Sequence, residues 1–193
     1  MDNIEQFSIY TAKIFEELYS SFPVPKRIDN SEMISLYLSF DKHDEIKKLH
    51  SIKSRAELVG ILKEANPEVF EEIIKPQLGA VDIDETLVVT EGKLRELEFE
   101  KQNEIRYQMS ILSGTIDFLE SEGLIVFVDK KGYRLSSKSF SHLNKSFKNG
   151  KVENDDESYI VAIKNMFGQA RSMSKEVVVG TAITIIPKLL GYS

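Results

Sequence analysis

The chain has 193 residues, of which 41% are hydrophobic and 29% are charged, and this balance predicts one globular domain with or without an appended segment. It contains no cysteine, which excludes a disulfide framework, a thiolate metal site and a cysteine nucleophile. The formal net charge of −6 argues against a general affinity for polyanions.

The first residues bear on targeting. The segment Met1–Glu5 has neither the basic region nor the apolar run of a signal peptide. No stretch of the chain reaches the roughly 18 apolar residues of a membrane-spanning helix. We therefore expect a cytoplasmic protein.

The N-terminal region predicts two helices. Apolar residues recur at steps of three and four between Ile4 and Tyr19, which is the spacing of an amphipathic helix. The segment 22–25, Phe-Pro-Val-Pro, ends this helix because proline has no N–H to donate. Ser31 is then expected to cap a short helix that runs to about Tyr37.

Residues 41–104 are polar and favour helices, so we interpret them as a helical insertion. Ser54 is expected to cap a helix that ends near Glu64. Pro67 suits the first position of the next helix. A further, highly charged helix is predicted over about 92–103.

The region after residue 105 predicts a helix followed by a β-ribbon. One helical stripe is formed by apolar residues three, four and three positions apart, namely Met109, Leu112, Ile116 and Leu119. Gly123 suits the left-handed residue that ends a helix. A strand is expected over 124–128, a turn over 129–132, and a return strand from Tyr133 to Leu135.

The segment that follows predicts a helix and a linker. The helix is capped by Ser136 or Ser137 and is expected to run through Leu143 to Phe147. Residues 149–158 are polar and acidic, and we interpret them as a linker.

Residues 159–193 predict a C-terminal helical extension. The second of its two helices, from about residue 174, places five apolar side chains near one another, namely Val179, Ala182, Ile183, Ile186 and Leu190. We expect this face to form a homodimer, because termini fray unless they dock. Packing on the chain's own core and contact with a membrane surface are the alternatives.

The order helix, helix, β-ribbon, helix resembles a winged helix-turn-helix. The motifs Glu122-Gly123-Leu124-Ile125 and Leu135-Ser136-Ser137-Lys138 resemble those that flank the wing in poorly characterised bacterial members of this superfamily. The resemblance implies a mainly α fold with a small β-ribbon, in which a winged-helix core over 1–148 carries the insertion. Winged helices bind DNA, RNA or proteins, so the resemblance does not by itself select one function.

The wing region is locally basic. Residues 129–151 hold seven lysines and arginines against one carboxylate. This patch is suited to phosphate contact, so we expect a non-enzymatic regulator that binds double-stranded DNA. Its candidate nucleic-acid-binding residues are Arg106, Thr115, Lys130, Lys131, Arg134, Lys138 and Lys145.

The helix before the wing favours an alternative. It carries Asp117, Glu120 and Glu122, and carboxylates are poorly suited to the major groove because the flanking phosphates repel them. A protein–protein interaction module with no nucleic-acid contact is therefore the second hypothesis. In that case the wing lysines only protect the edge of the ribbon.

One string suggests catalysis. Residues 81–88 resemble the first motif of haloacid-dehalogenase-like phosphotransferases, which implies Asp82 as nucleophile, Asp84 as general acid/base and a bound Mg²⁺. No fully apolar strand precedes the motif and no βα alternation follows it. We therefore expect no enzyme and no cofactor. His43 and His50 are expected on a hydrated helix surface rather than at a metal.

Overall fold

The computed structural model describes residues 2–37, 40–78, 82–147, 157–168 and 175–191. Helices dominate this part of the chain, and its β structure is limited to short antiparallel pairs. This confirms the prediction of a mainly α chain with a small β-ribbon. The chain divides into a terminal unit, Met1–Leu38 with Tyr107–Ser193, and an inserted unit, Ser39–Arg106.

Helix α1 (Asn3–Ser21) is fixed at its start by a reciprocal cap. The Glu5 N–H donates to Asp2 Oδ1 at 2.8 Å, and the Asp2 N–H donates to Glu5 Oε2 at 2.9 Å. Both bonds satisfy N–H groups that a helix start leaves without partners. The helix ends before Pro23, as its sequence predicts.

Helix α2 (Asn30–Tyr37) begins one residue earlier than its predicted cap. The carboxylate of Asp29 accepts the N–H groups of Ser31 at 2.9 Å and Glu32 at 3.1 Å. The predicted cap at Ser31 is therefore wrong, because Asp29 already satisfies the free N–H groups of the first turn.

The inserted unit begins with helix α3 (His43–Ala65). Ser54 lies inside this helix, so the predicted cap there is wrong. A second helical stretch comprises α4 (Pro67–Val69), a π-helical segment (Phe70–Ile74) and α5 (Lys75–Leu78). It begins at Pro67, which confirms the first helical position expected for this proline.

Helix α6 (Ile83–Ser121) is continuous over 39 residues. The sequence predicted a charged helix ending near Asn103 and a separate apolar stripe after it. The two are one helix because no proline or other strong helix breaker separates them. Leu112, Ile116 and Leu119 are buried as predicted, whereas Met109 is 47% exposed.

The predicted ribbon is confirmed as strands β1 (Ile125–Val128) and β2 (Gly132–Leu135), which pair antiparallel. Gly123 has φ +64° and ends α6, and the Leu124 N–H donates to the Leu119 carbonyl at 2.8 Å. The ribbon gains a further backbone pair from the N-terminal region. Lys26 and Tyr133 exchange two N–H to carbonyl bonds, of 2.7 and 2.9 Å.

Helix α7 (Ser137–Leu143) is capped by Ser136, whose Oγ accepts the Ser139 N–H at 3.1 Å. The predicted extension of this helix to Phe147 is wrong. Residues Ser146–Phe147 form strand β3, which pairs with strand β4 (Glu157–Ser158). The last two residues of the predicted linker are therefore part of a strand, and its residues 149–156 lie outside the described chain.

The core of the terminal unit is built around α1. Its fully buried Ile9, Ile14 and Leu18 belong to one apolar cluster with residues of α6, the ribbon and two C-terminal helices, α8 (Tyr159–Gly168) and α9 (Lys175–Leu190). The C-terminal extension is thus part of this core. Among the described residues, no helix has the length and apolarity needed to cross a bilayer.

The apolar face assigned to a homodimer is used inside the chain, which corrects that prediction. Within the α1 cluster, Val179, Ala182 and Ile186 are buried, and Ile183 and Leu190 are partly buried. The face is covered because α1 and α9 pack against each other. That the protein forms a homodimer stays a prediction.

Candidate nucleic-acid interface

The tip of the ribbon presents two lysines. The turn is closed by the Lys131 N–H, which donates to the Val128 carbonyl at 2.9 Å. Lys130 adopts φ +61°, which is uncommon for a residue with a side chain. Both lysine side chains are exposed. Their charges therefore lie at the turn of the ribbon, where solvent reaches them.

An arginine from the N-terminal region joins this tip. The Arg27 guanidinium donates to the Lys130 carbonyl at 3.1 Å, and Arg27 is exposed. The pairing of Lys26 with Tyr133 brings it there. Sequence reasoning missed Arg27 because more than a hundred residues separate it from the ribbon along the chain.

Arg134 lies on the face of the ribbon that points away from the core. It is directly opposite Val126 in the register, and it is half-buried. Ile125 and Leu135 form the next pair of the ribbon, and their side chains enter the core from the other face. The ribbon therefore keeps the Arg134 side chain on the side away from the core.

Helix α7 adds Lys138, and the segment directly after it adds Lys145; both lysines are exposed. The two lysines lie near His142. Burial lowers the pKa of His142 below its usual value, and the charges of Lys145 and Lys138 lower the pKa further. The charges of Lys138 and Lys145 therefore both act on His142.

We call Arg27, Lys130, Lys131, Arg134, Lys138 and Lys145 the basic ribbon surface. None of these six side chains has a described carboxylate within 4.0 Å. Lys26 differs, because its ammonium lies 3.0 Å from Glu17. Among the described residues, the six charges therefore have no carboxylate partner, whereas Lys26 is paired with Glu17.

Two of the predicted site residues do not belong to this surface. Thr115 is 1% exposed, and its hydroxyl donates to the Ile111 carbonyl at 2.8 Å within α6. Its prediction as a contact residue is wrong, because it lies on the core side of the helix. Arg106 is exposed and belongs to the inserted unit, so its contact with nucleic acid stays a prediction.

The C-terminal end of α6 is acidic on its solvent side. Asp117 and Glu120 are exposed. Burial raises the pKa of Tyr133, and the charges of Glu120 and Asp117 raise it further. The helix that precedes the ribbon therefore offers carboxylates beside Tyr133, where a base-reading helix would offer amides or cations.

Asp82, the nucleophile of the catalytic alternative, has a structural role. Asp82 Oδ1 accepts the N–H groups of Asp84 at 2.9 Å and Glu85 at 3.2 Å, so it caps α6. Asp84 lies 3.7 Å from the ammonium of Lys63. No group of three His, Asp or Glu side chains within the described ranges is arranged to hold a metal ion.

Comparison with protein-family models, with curated proteins and with solved structures finds no match to this chain.

Proposed function

We propose that the protein is a non-enzymatic regulator that binds nucleic acid through the basic ribbon surface. One observation carries the proposal: six cations from three neighbouring segments are exposed or half-buried, and none is paired with a described carboxylate. Unpaired cations on a protruding ribbon release counterions from a phosphate backbone when they bind it.

The proposal takes the scaffold to be a winged helix. It is supported by the element order, which runs through α1, the Lys26 bridge to Tyr133, α2, the end of α6, the ribbon and α7. In this reading the ribbon is the wing and the last turns of α6 are the helix beside it.

The mode of binding is phosphate contact with little reading of base sequence. Asp117 and Glu120 keep the end of α6 away from the phosphates that line the major groove. Thr115 is buried and makes no base contact. Affinity then comes from charge, and it falls steeply with salt.

A salt titration tests the proposal. We would measure binding of the full chain to a short labelled duplex of random sequence by fluorescence anisotropy, over a series of salt concentrations. Each contacted phosphate contributes about −0.9 to the slope of log K against log salt, so six cations allow a slope as steep as about −5. Absence of binding at low salt would contradict the proposal and favour the protein-interaction alternative.

A further inference from the structure

The terminal unit contains an apolar pocket that is distinct from the basic ribbon surface. Its volume is about 530 Å³, within the range of about 300 to 1,000 Å³ that is typical of small-molecule sites. Three helices form its walls: Phe7 and Ser8 come from α1, Gly114 and Phe118 from α6, and Pro187 and Leu190 from α9.

The pocket is open because α6 has no side chain at residue 114. A Cβ at Gly114 would meet no atom within 4 Å. Glycine is disfavoured inside a helix, and no close packing at this position requires it. Phe7 and Phe118 pack edge to face with ring centres 5.3 Å apart, so two aromatic rings in contact form one side of the pocket.

The lining is apolar except for one hydroxyl. Ser8 supplies the one polar side chain among the described lining residues, and it is 1% exposed. A hydroxyl both donates and accepts hydrogen bonds, so Ser8 can bind one polar group of a ligand.

The charges near the start of α1 disfavour an anionic ligand. The N–H groups of a helix start attract anions, but here the carboxylates of Asp2 and Glu5 already occupy this end of α1. No lysine, arginine or histidine is among the described lining residues, so a ligand carboxylate would have no cation in the lining to pair with. The pocket therefore suits an uncharged molecule.

We propose that this pocket binds a small, uncharged, mainly apolar molecule with one hydroxyl or carbonyl group. The apolar body packs between Phe118 and Leu190, and its oxygen bonds to the Ser8 hydroxyl. The inference is independent of nucleic-acid binding, because none of the lining residues belongs to the basic ribbon surface.

The test uses the full chain and a neutral fluorescent probe, N-phenyl-1-naphthylamine. We expect saturable binding, with displacement by 1-decanol but much weaker displacement by decanoate. Gly114→Leu should weaken probe binding by at least about tenfold, because the leucine side chain fills the space above residue 114. Leucine is also a better helix former than glycine, so α6 should stay folded.

Gly92→Leu is the matched control. Gly92 lies in the same helix, is exposed, and has no atom within 4 Å of a Cβ, so this variant should bind the probe like the wild type.

Ser8→Ala should weaken the affinity for decanol about fivefold or more, after correction for each variant's own probe affinity. The pocket assignment is overturned if the wild type shows no saturable binding or if Gly114→Leu binds the probe as tightly. Equal displacement by decanoate and decanol would overturn the uncharged ligand class.

Discussion

Gly132 is the residue at which the N-terminal region and the ribbon approach most closely. It has φ +99°, and a Cβ there would overlap the carbonyl of Lys26. Gly132→Ala must therefore shift backbone as well as adopt a strained dihedral. We expect it to lower the free energy of unfolding by about 2 kcal/mol or more.

Urea unfolding of Gly132→Ala beside Gly92→Ala checks this prediction. Gly92 lies in an exposed part of α6 with open space around it, so alanine there should stabilise by about 0.5 to 1 kcal/mol. Equal stability of Gly132→Ala and the wild type would mean that Lys26 and the ribbon are not paired in solution.

His142 reports the positive charges of Lys138 and Lys145. Its pKa is lowered by burial and by Lys145 and Lys138, so the folded protein holds fewer protons on this group than the unfolded chain near its ordinary pKa. The stability that the neutral imidazole contributes is present above the unfolded pKa and is lost as the pH falls from that value through the lower folded pKa.

An NMR titration of His142 measures this effect directly. We expect the pKa of His142 to lie below 6.5 in the wild type and to rise in a variant that carries both Lys138→Ala and Lys145→Ala. The lowering of the pKa that remains in the double variant is due to burial, which is the largest cause. If the pKa does not move in the double variant, the two lysines do not share a surface with His142.

Helix α9 is the element whose predicted role differs most from its role in the structure. Its sequence shows an apolar face but does not show which surface covers that face, so we predicted an interface between two copies. Ile186 is 0% exposed within the α1 cluster, so Ile186→Ala should cost about 2 to 5 kcal/mol. Val177 is 48% exposed on the same helix, and Val177→Ala should change stability by no more than about 0.5 kcal/mol.

Thermal unfolding at several protein concentrations separates a core face from an interface. A face buried inside one chain gives a Tm that does not depend on concentration, whereas an obligate dimer gives one that rises with it. A concentration-dependent Tm, together with a small effect of Ile186→Ala, would restore α9 as a dimer element.

Helix α6 shows what local patterns resolve and what they miss. The stripe of Leu112, Ile116 and Leu119 was predictable because burial on one face imposes a period. The continuity of α6 through Asn103 was missed because a change from charged to apolar composition looks like a boundary, although only a proline or a cap would make one.

Asn103→Pro should therefore lower the free energy of unfolding, measured in urea, by about 3 kcal/mol or more. A flexible joint at this point would instead tolerate the proline.

At the scale of the whole molecule, the ribbon and its flanking helix were predicted from local signals. Gly123 and Gly132 have positive φ and Ser136 caps α7, each for a reason that lies within a few residues. Long-range pairing was not predictable. The approach of Lys26 to Tyr133, which adds Arg27 to the site, depends on how α1 packs.

Because long-range packing is not visible in local sequence, the burial of Thr115 was not predicted either. Thr115 has a polar side chain on a helix and was assigned to nucleic acid, but its hydroxyl is satisfied by its own helix and its surface is covered. Sequence gives the type of a side chain, while packing decides whether solvent or a ligand can reach it.

The central claim is that the lysines of the basic ribbon surface contact phosphate. The most direct test compares the salt dependence of duplex DNA binding in two triple variants that lose the same charge. One carries Lys130→Ala, Lys131→Ala and Lys138→Ala; the other carries Lys47→Ala, Lys48→Ala and Lys75→Ala, all exposed in the inserted unit. We expect the first to flatten the slope of log K against log salt by up to about 2.7 and the second to leave it unchanged. Equal slopes in the two variants would contradict phosphate contact by the ribbon.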